Sequence, residues 1–441
     1  MKSCVYKLLS GLLSRRLNDF LECHELLPEE QYGFRVSHST VTAGEVLLRE
    51  IESSLVVRGR PLFSVFVDFK AAFDSCSRCL VMDKLARLGI PLRFLALLKA
   101  ILQENIIAIE DGISSLEKIS QTTGFAQGDN LSPILFSVLI SDLPARITFR
   151  HQFVKVLMYA DDLVLYSSSR FHLQQALVTL QKYCKEAGLI INETKTEAMK
   201  FRRGGRLATS DQLRLGTATL RYTNAFAYLG FTLTPTGLSF SRHVRERVRK
   251  AKLEMFDIKT PQGLSLKTAL QLFTLKVAPI AAYGIQLTWE HLSARDLYLL
   301  ESVKSAFLKR VLGLHCTTRS RYTYILSGTS LFVADLMKSF KLSETESFKA
   351  FEESQEQKLA DIDPGIFVSP AMTSEGWKRS KQANRHIVTR FAVHGFHHLL
   401  CTNVNFHDPS HNCICKYCGL SCPKYHASSC DSAVSIRDLA K

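Results

Sequence analysis

Long hydrophobic runs are missing from this 441-residue chain, tryptophan is almost missing with two, and acids are outnumbered by bases, 41 to 56. The nearest thing to a bilayer-length segment, VAPIAAYGIQLTW (Val277 to Trp289), is too short and is broken by Pro279, so no membrane span is expected. The start, MKSCVYKLLSGLLSRRL, has its apolar run interrupted by Lys7 and lacks a small-residue cleavage site, so it reads as an amphipathic helix. No internal repeat is present.

The shortage of acids leaves a formal net charge of +15, which favours a polyanionic partner such as nucleic acid or an anionic membrane. Hydrophobic residues at 46% supply a folded, soluble chain with ample core material, and the length implies about two to four domains or subdomains. Cysteine use is uneven. Five of twelve (Cys413, Cys415, Cys418, Cys422, Cys430) fall near the C-terminus among histidines, which argues for a reducing, intracellular compartment and a local metal site over a disulfide framework. Nucleus and cytoplasm stay equally open.

Hydrophobic periodicity gives helices over the first 60 residues, interrupted by the loop LPEEQYGFRVSHST, then an apolar strand PLFSVFVDF ending near Asp68. Helices are expected around Cys79 to Leu88 and Arg93 to Ile101, followed by weak strand signals and a glycine-rich loop, GFAQGDNLSPILF, running into an apolar helix. VKVLMYADDLVLYSS reads as strand, turn, strand, and HLQQALVTLQKYCKEAGL as an amphipathic helix stopped at Gly188. The order implies an α+β layer, an antiparallel sheet packed on helices, with a boundary near residue 235 and helices beyond it. The polar stretch from about Glu344 to Ser380 reads as a less regular connector.

Asp161 and Asp162 place two like charges at a tight turn, which needs something positive nearby unless the pair is a plain solvent-facing hairpin tip. A metal is one candidate, with Asp68 the natural third carboxylate, because Mg²⁺ takes a few carboxylates plus substrate phosphates. Two such ions suit an in-line phosphoryl transfer.

VDFKAAFDS, GFAQGDNLSPILF, YADD, EAGLIINETKT and AYLGF stand in the order and rough spacing of the successive palm motifs of reverse transcriptases, and most resemble those of non-LTR (LINE-type) retrotransposons. QYGFR is similar to a fingers motif and APIAAYG-x4-W to the thumb region, so the resemblance covers about residues 5 to 320. It implies a right-hand polymerase fold: partial fingers over 1–60, an antiparallel palm over 61–235, a helical thumb over 236–343, a connector and C-terminal helical region over 344–400, and a small zinc-binding tail over 401–441.

Carried over by position, Asp68, Asp161 and Asp162 would hold two Mg²⁺ (or Mn²⁺) ions, and Lys195 would protonate departing pyrophosphate. Phe73 would lie under the sugar of the incoming nucleotide and exclude a 2′-OH, favouring dNTPs. RNA-dependent RNA polymerases typically have a polar residue there and a glycine before the Asp pair, where this chain has Ala160. Gly124 and Gly128 would let backbone approach template and nucleotide closely, Gln127 would reach the templating base, and Arg35 would contact the triphosphate. Tyr228, Leu229 and Gly230 would grip the primer. In SRHVRERVRKAK, residues Arg242, Arg245, Arg249 and Lys252 share one helical face, suited to a template-primer backbone, while Val244, Val248, Ala251 and Met255 line another.

The tail pattern Cys415-x2-Cys418-x7-His426-x3-Cys430 has zinc-site spacing, with Cys413, Cys422 and His411 as possible substitutes. Lys416, Tyr417, Lys424 and Tyr425 around it suit single-stranded nucleic acid. The expected activity is RNA-directed DNA synthesis on an RNA template from a DNA primer. The alternative is a truncated or decayed element product that binds nucleic acid without polymerising, since the chain begins close to the first fingers helix and no nicking nuclease precedes residue 1 or follows Cys430. A maturase-like or telomerase-like enzyme would share the palm, but the Cys/His tail argues against both.

Overall fold

The computed structural model describes residues 3–360, apart from 58, 104, 110–116, 122, 206, 259–263, 313, 315 and 317–319, together with 413–414 and 421–422. Two compact units divide the chain at Ser239/Phe240.

In the first unit α1 (Cys4–Cys23) and α2 (Thr40–Glu52) precede β1 (Leu62–Val67). Then come α3 (Ala72–Ser75), α4 (Arg78–Arg87), α5 (Leu92–Gln103), the hairpin β2 (Asn105–Ile109) and β3 (Glu117–Gln121), α6 (Ser132–Leu139) and α7 (Leu143–Arg150). The hairpin β4 (Lys155–Tyr159) and β5 (Asp162–Ser167) leads into α8 (Arg170–Ala187) and β6 (Glu197–Phe201). Short strands β7 (Arg214–Leu215), β8 (Ala218–Thr219), β9 (Arg221–Tyr222), β10 (Phe226–Tyr228) and β11 (Phe231–Leu233) finish the unit.

The main sheet has order β4-β5-β1-β6-β9, and β1 is antiparallel to both its neighbours. All six β1 residues, LFSVFV, are buried, which explains a continuous apolar run instead of alternation. Helix α8 starts where the Ser169 side chain accepts from His172 N and stops at Gly188, whose φ of +73° is the left-handed cap glycine takes without strain. Its apolar stripe (Leu173, Leu177, Leu180) joins Leu135, Leu139 and Leu165 in one core.

Lys84 staples this layer, donating to the Asp142 carboxylate and the Leu139 carbonyl, while Tyr183 Oη donates to Asp142 at 2.7 Å. The stretch Ser132–Arg150 has the length and mean hydropathy (1.2) to cross a membrane, a property the sequence reading did not find there. Its residues Leu135, Phe136, Val138 and Leu139 have no exposure, as befits a core segment.

The second unit is helical: α9 (Ser241–Asp257), α10 (Leu266–Leu272), α11 (Ala278–Ala282), α12 (Ile285–Thr288), α13 (Ala294–Leu312), α14 (Ser320–Ser327), α15 (Phe332–Phe340) and α16 (Glu346–Ala360). Helix α16 corrects the expectation of an irregular connector from Glu344, because Phe348 and Phe351, one turn apart, are both buried. Inside α13, Glu301 accepts from the backbone N–H groups of Phe332 and Val333, capping α15 from a neighbouring helix. Of the tail, the short strands β12 (Cys413–Ile414) and β13 (Ser421–Cys422) pair antiparallel. Cys415, Cys418, His426 and Cys430 lie outside the described residues.

Candidate active site

The β4–β5 hairpin turns in two residues, Ala160 and Asp161, with Tyr159 paired to Asp162. Ala160 has φ +56° and Asp161 is not left-handed, the arrangement of a type II′ turn, whose first central position normally takes glycine. Val67 pairs with Leu163, so the next step of the same ladder sets Asp68 across from Asp162. Like charges directly opposite are destabilising in a sheet. Burial raises the Asp161 carboxyl above its ordinary range, with Asp68 adding to it. Burial, then Asp161 and Asp68, push Asp162 up to about 6.

Asp68 is itself held by backbone contacts. Its N–H donates to Thr196 Oγ1 (3.2 Å) and its carbonyl accepts from Asn192 N (2.7 Å). The loop so pinned carries Lys195, exposed and without a partner of its own among the described residues.

The hairpin turn is held from outside by QYGFR. Gln31 forms a parallel bridge with Met158, flanked by Met158 N to Glu30 O and Tyr32 N to Met158 O, each 2.8 Å. The Gln31 Oε1 accepts from Gly33 N (2.9 Å) and from Ala160 N (3.0 Å). Gly33 has no room for a side chain, since a Cβ there would lie 2.3 Å from Ala160 N.

Arg35 requires a correction. Its guanidinium grips Glu22 with two bonds (Nε to Oε1 3.0 Å, Nη2 to Oε2 2.8 Å) and donates to the Pro28 carbonyl at 2.8 Å, tying α1 to this turn instead of pointing a free fork at a triphosphate.

The glycine-rich loop also differs from expectation in one respect. Gly124 has φ +67°, and a Cβ there would lie 2.3 Å from the Asp74 carbonyl oxygen, so both backbone and space call for glycine and the close approach seen is to the chain itself. Phe125 N donates to Phe73 O (2.6 Å), and Gln127 Nε2 to Asp74 Oδ2 (3.0 Å), so the loop lies along the segment that follows Asp68. The Phe73 ring is half-buried against Phe136, with centroids 4.9 Å apart. Gln127 and Gly128 are exposed, and nothing stands within 4 Å of where a Gly128 Cβ would be. Tyr6 Oη anchors the loop from α1 by donating to Asp129 Oδ2 at 2.6 Å.

Hairpin β10–β11 turns through Leu229 (φ +46°) and Gly230 (φ +82°), a type I′ turn. It covers the sheet face that bears Phe66, whose ring lies 4.2 Å from Phe226 and 5.7 Å from Tyr228, and two residues on the same face is Asp68. Tyr228 is buried, its hydroxyl has no hydrogen-bond partner, and burial followed by Asp162 raises its pKa far above the phenol range. The side chain is therefore core, while at the tip Leu229 is half-buried and Gly230 exposed.

In α9 the four apolar positions Val244, Val248, Ala251 and Met255 are buried, and Arg242, Arg245 and Arg249 are exposed. Arg242 pairs with Glu246 (3.2 Å), Arg245 donates to Ser241 O (3.2 Å), and Lys252 is half-buried, which lowers its pKa.

Among the described residues, no three His, Cys, Asp or Glu side chains stand close enough to enclose a cation unaided. The donor set still fits a hard divalent ion. Asp68, Asp161 and Asp162 are mutually repelling oxygen ligands, and among the described residues none of them has an ion-pair partner. Sequence reading assigned no role to Gln31, Gly33, Asn192 and Thr196, although all four lie inside the segments QYGFR and EAGLIINETKT, which was their one signal.

Among curated proteins, the chain is 29% identical over 299 residues to a probable RNA-directed DNA polymerase from transposon BS of Drosophila melanogaster, covering 65% of this chain and 33% of that protein. It is 26% identical to the RNA-directed DNA polymerase from mobile element jockey of the same fly (71% and 35% covered). It is 27% identical to a Pol polyprotein from the type-1 retrotransposable element R2 of Popillia japonica (76% and 48% covered). The chain thus spans about a third to a half of the length of these relatives. Among solved structures it is similar to apo telomerase from Candida tropicalis, at TM-score 0.41 and 11% identity over 80% of this chain and 59% of that one. Residues 1–233, just over half of the 441, match the profile described as reverse transcriptase (RNA-dependent DNA polymerase), and the chain belongs to that family.

Proposed function

We propose that this chain is the RNA-directed DNA polymerase of a non-LTR retrotransposon, extending a primer 3′-OH with dNTPs on an RNA template. The observation that carries the reading is the set of three unneutralised carboxylates, Asp68 across the ladder from Asp162 with Asp161 at the turn, in a chain of this family.

Asp68, Asp161 and Asp162 would hold Mg²⁺, which when bound supplies Lewis-acid activation of the attacking hydroxyl and neutralises charge on the phosphates. The chain's own groups do the rest. The Phe73 ring, packed on Phe136, closes the space a 2′-OH would need. Gln127 and Gly128 offer an open polar edge to the nucleotide and templating base. Lys195, on the loop stitched to Asp68, is free to give a proton to pyrophosphate as it leaves. The Leu229–Gly230 tip steadies the primer end, and Arg242, Arg245, Arg249 and Lys252 on α9 meet the phosphate backbone of the duplex. Cys415, Cys418, His426 and Cys430 would hold Zn²⁺, whose preference for tetrahedral sulfur and nitrogen ligands their spacing suits, and Lys416, Tyr417, Lys424 and Tyr425 between them suit single-stranded nucleic acid. The protein acts inside the cell, where its thiols stay reduced.

The test is primer extension by the purified chain on an RNA template with an annealed DNA primer, dNTPs and Mg²⁺ or Mn²⁺, beside Asp161→Ala and Asp162→Ala. Metal-dependent extension that both substitutions abolish is expected; tight template-primer binding without extension would refute the polymerase reading and leave a binding protein.

A further inference from the structure

We propose that Gln31 is a positioning residue for the catalytic carboxylates: its buried side-chain carbonyl holds the left-handed backbone of Ala160, and with it the turn that carries Asp161 and Asp162. The inference deepens the polymerase reading and rests on it.

Ala160 sits at φ +56°, a conformation glycine adopts freely and an L-residue adopts only where its surroundings over-determine it. The surroundings here are specific. Gln31 has no exposure, and its Oε1 receives the N–H of Ala160 and that of Gly33 at 3.0 and 2.9 Å. The bridge to Met158 fixes the strand two residues before the turn, and the absence of a side chain at Gly33 lets its backbone close against Ala160 N.

Chemistry narrows the choice of side chain at position 31. A carboxylate of the same length would accept both N–H groups but would add another negative charge beside Asp161 and Asp162, which already repel each other. An amide accepts without charge. The cost is visible: Gln31 Nε2 is buried with no hydrogen-bond partner. A site occupied for packing alone would favour an apolar side chain over an amide with an unpaired donor. The carbonyl is the part of Gln31 that the fold uses.

Gln31→Met keeps length and volume and removes the acceptor. In that variant the Ala160 and Gly33 N–H groups lose their shared acceptor, and exchange of the Ala160 amide proton should quicken by at least about a hundred-fold, well beyond any change at amides in the centre of the sheet. For primer extension, kcat should fall about ten- to a hundred-fold with KM for dNTP nearly unchanged. Adding Ala160→Gly to Gln31→Met should restore most of the lost kcat, because glycine holds this φ without help. An unchanged Ala160 exchange rate in Gln31→Met, or a loss of kcat that Ala160→Gly fails to recover, would overturn the proposal. If the wild-type chain extends no primer, the polymerase reading fails, and the exchange measurement still decides the role of Gln31 by itself.

Discussion

Replacing Asp162 with asparagine should make the unloaded protein more stable at neutral pH while abolishing its chemistry. Burial and two neighbouring carboxylates raise Asp162 from 3.8 to about 6. A carboxyl whose folded-state pKa is raised favours the folded chain fully below the unfolded value near 3.8, and that stability drains away as pH rises through about 6. About two pH units at about 1.4 kcal/mol each set a ceiling of about 3 kcal/mol. The carboxyl is set among protein atoms, but the residue stands beside the turn with one side open to water, so solvent screens the interaction, and about 1–2 kcal/mol is the working figure. For a unit of this size that is a rise in Tm of roughly 2 to 8 °C. Urea unfolding of wild type and Asp162→Asn in EDTA, at pH 4 and at pH 7.5, reads it directly. The variant should gain at pH 7.5 and be level at pH 4. Equal differences at the two pH values, or a wild type more stable at pH 7.5, would show that the three acids do not repel as described. Adding Mg²⁺ at pH 7.5 should then stabilise wild type more than the variant.

The tie between Arg35 and Glu22 lowers the Glu22 pKa, so its stabilisation is present above about pH 4.5 and is lost as pH falls further; Arg35→Met should cost about 1–3 kcal/mol in urea unfolding at pH 7, less below pH 4, with KM for dNTP unmoved. Gly33→Ala forces a methyl to 2.3 Å from Ala160 N and should cost about 1–3 kcal/mol or more together with most of the extension activity, read by thermal melts and primer assays. Phe73→Val should lower the preference for dNTP over rNTP, as a ratio of kcat/KM, by at least about ten-fold. Changing Arg242, Arg245 and Arg249 together to glutamine should reduce the salt slope of template-primer binding by about three while leaving single-turnover chemistry intact at saturating duplex.

Local pattern made much of this molecule legible. The run LFSVFV, the two-strand reading of VKVLMYADDLVLYSS, the stop at Gly188 and the apolar stripe of α9 all follow from periodicity and turn chemistry, and the structure holds each where expected. Helix α16 was hidden by its polar composition, although Phe348 and Phe351 at helical spacing were the clue. Arg35 misled because a guanidinium suits a carboxylate as well as a phosphate, and Glu22, thirteen residues earlier, carries no sequence mark as its partner. Gln31 stood inside the noticed segment QYGFR, but its role could not be read there, because it depends on a backbone amide 129 residues away.

That separation shapes how the protein comes into being. Gln31 to Ala160, Tyr6 to Asp129 and Thr196 to Asp68 each join segments more than 120 residues apart. Contacts of such high order form late, because the chain must close large loops before they repay the entropy. A nascent chain therefore has helices and hairpins long before its three carboxylates stand together, and Asp68 is not pinned until the segment around Thr196 has emerged and folded back onto it.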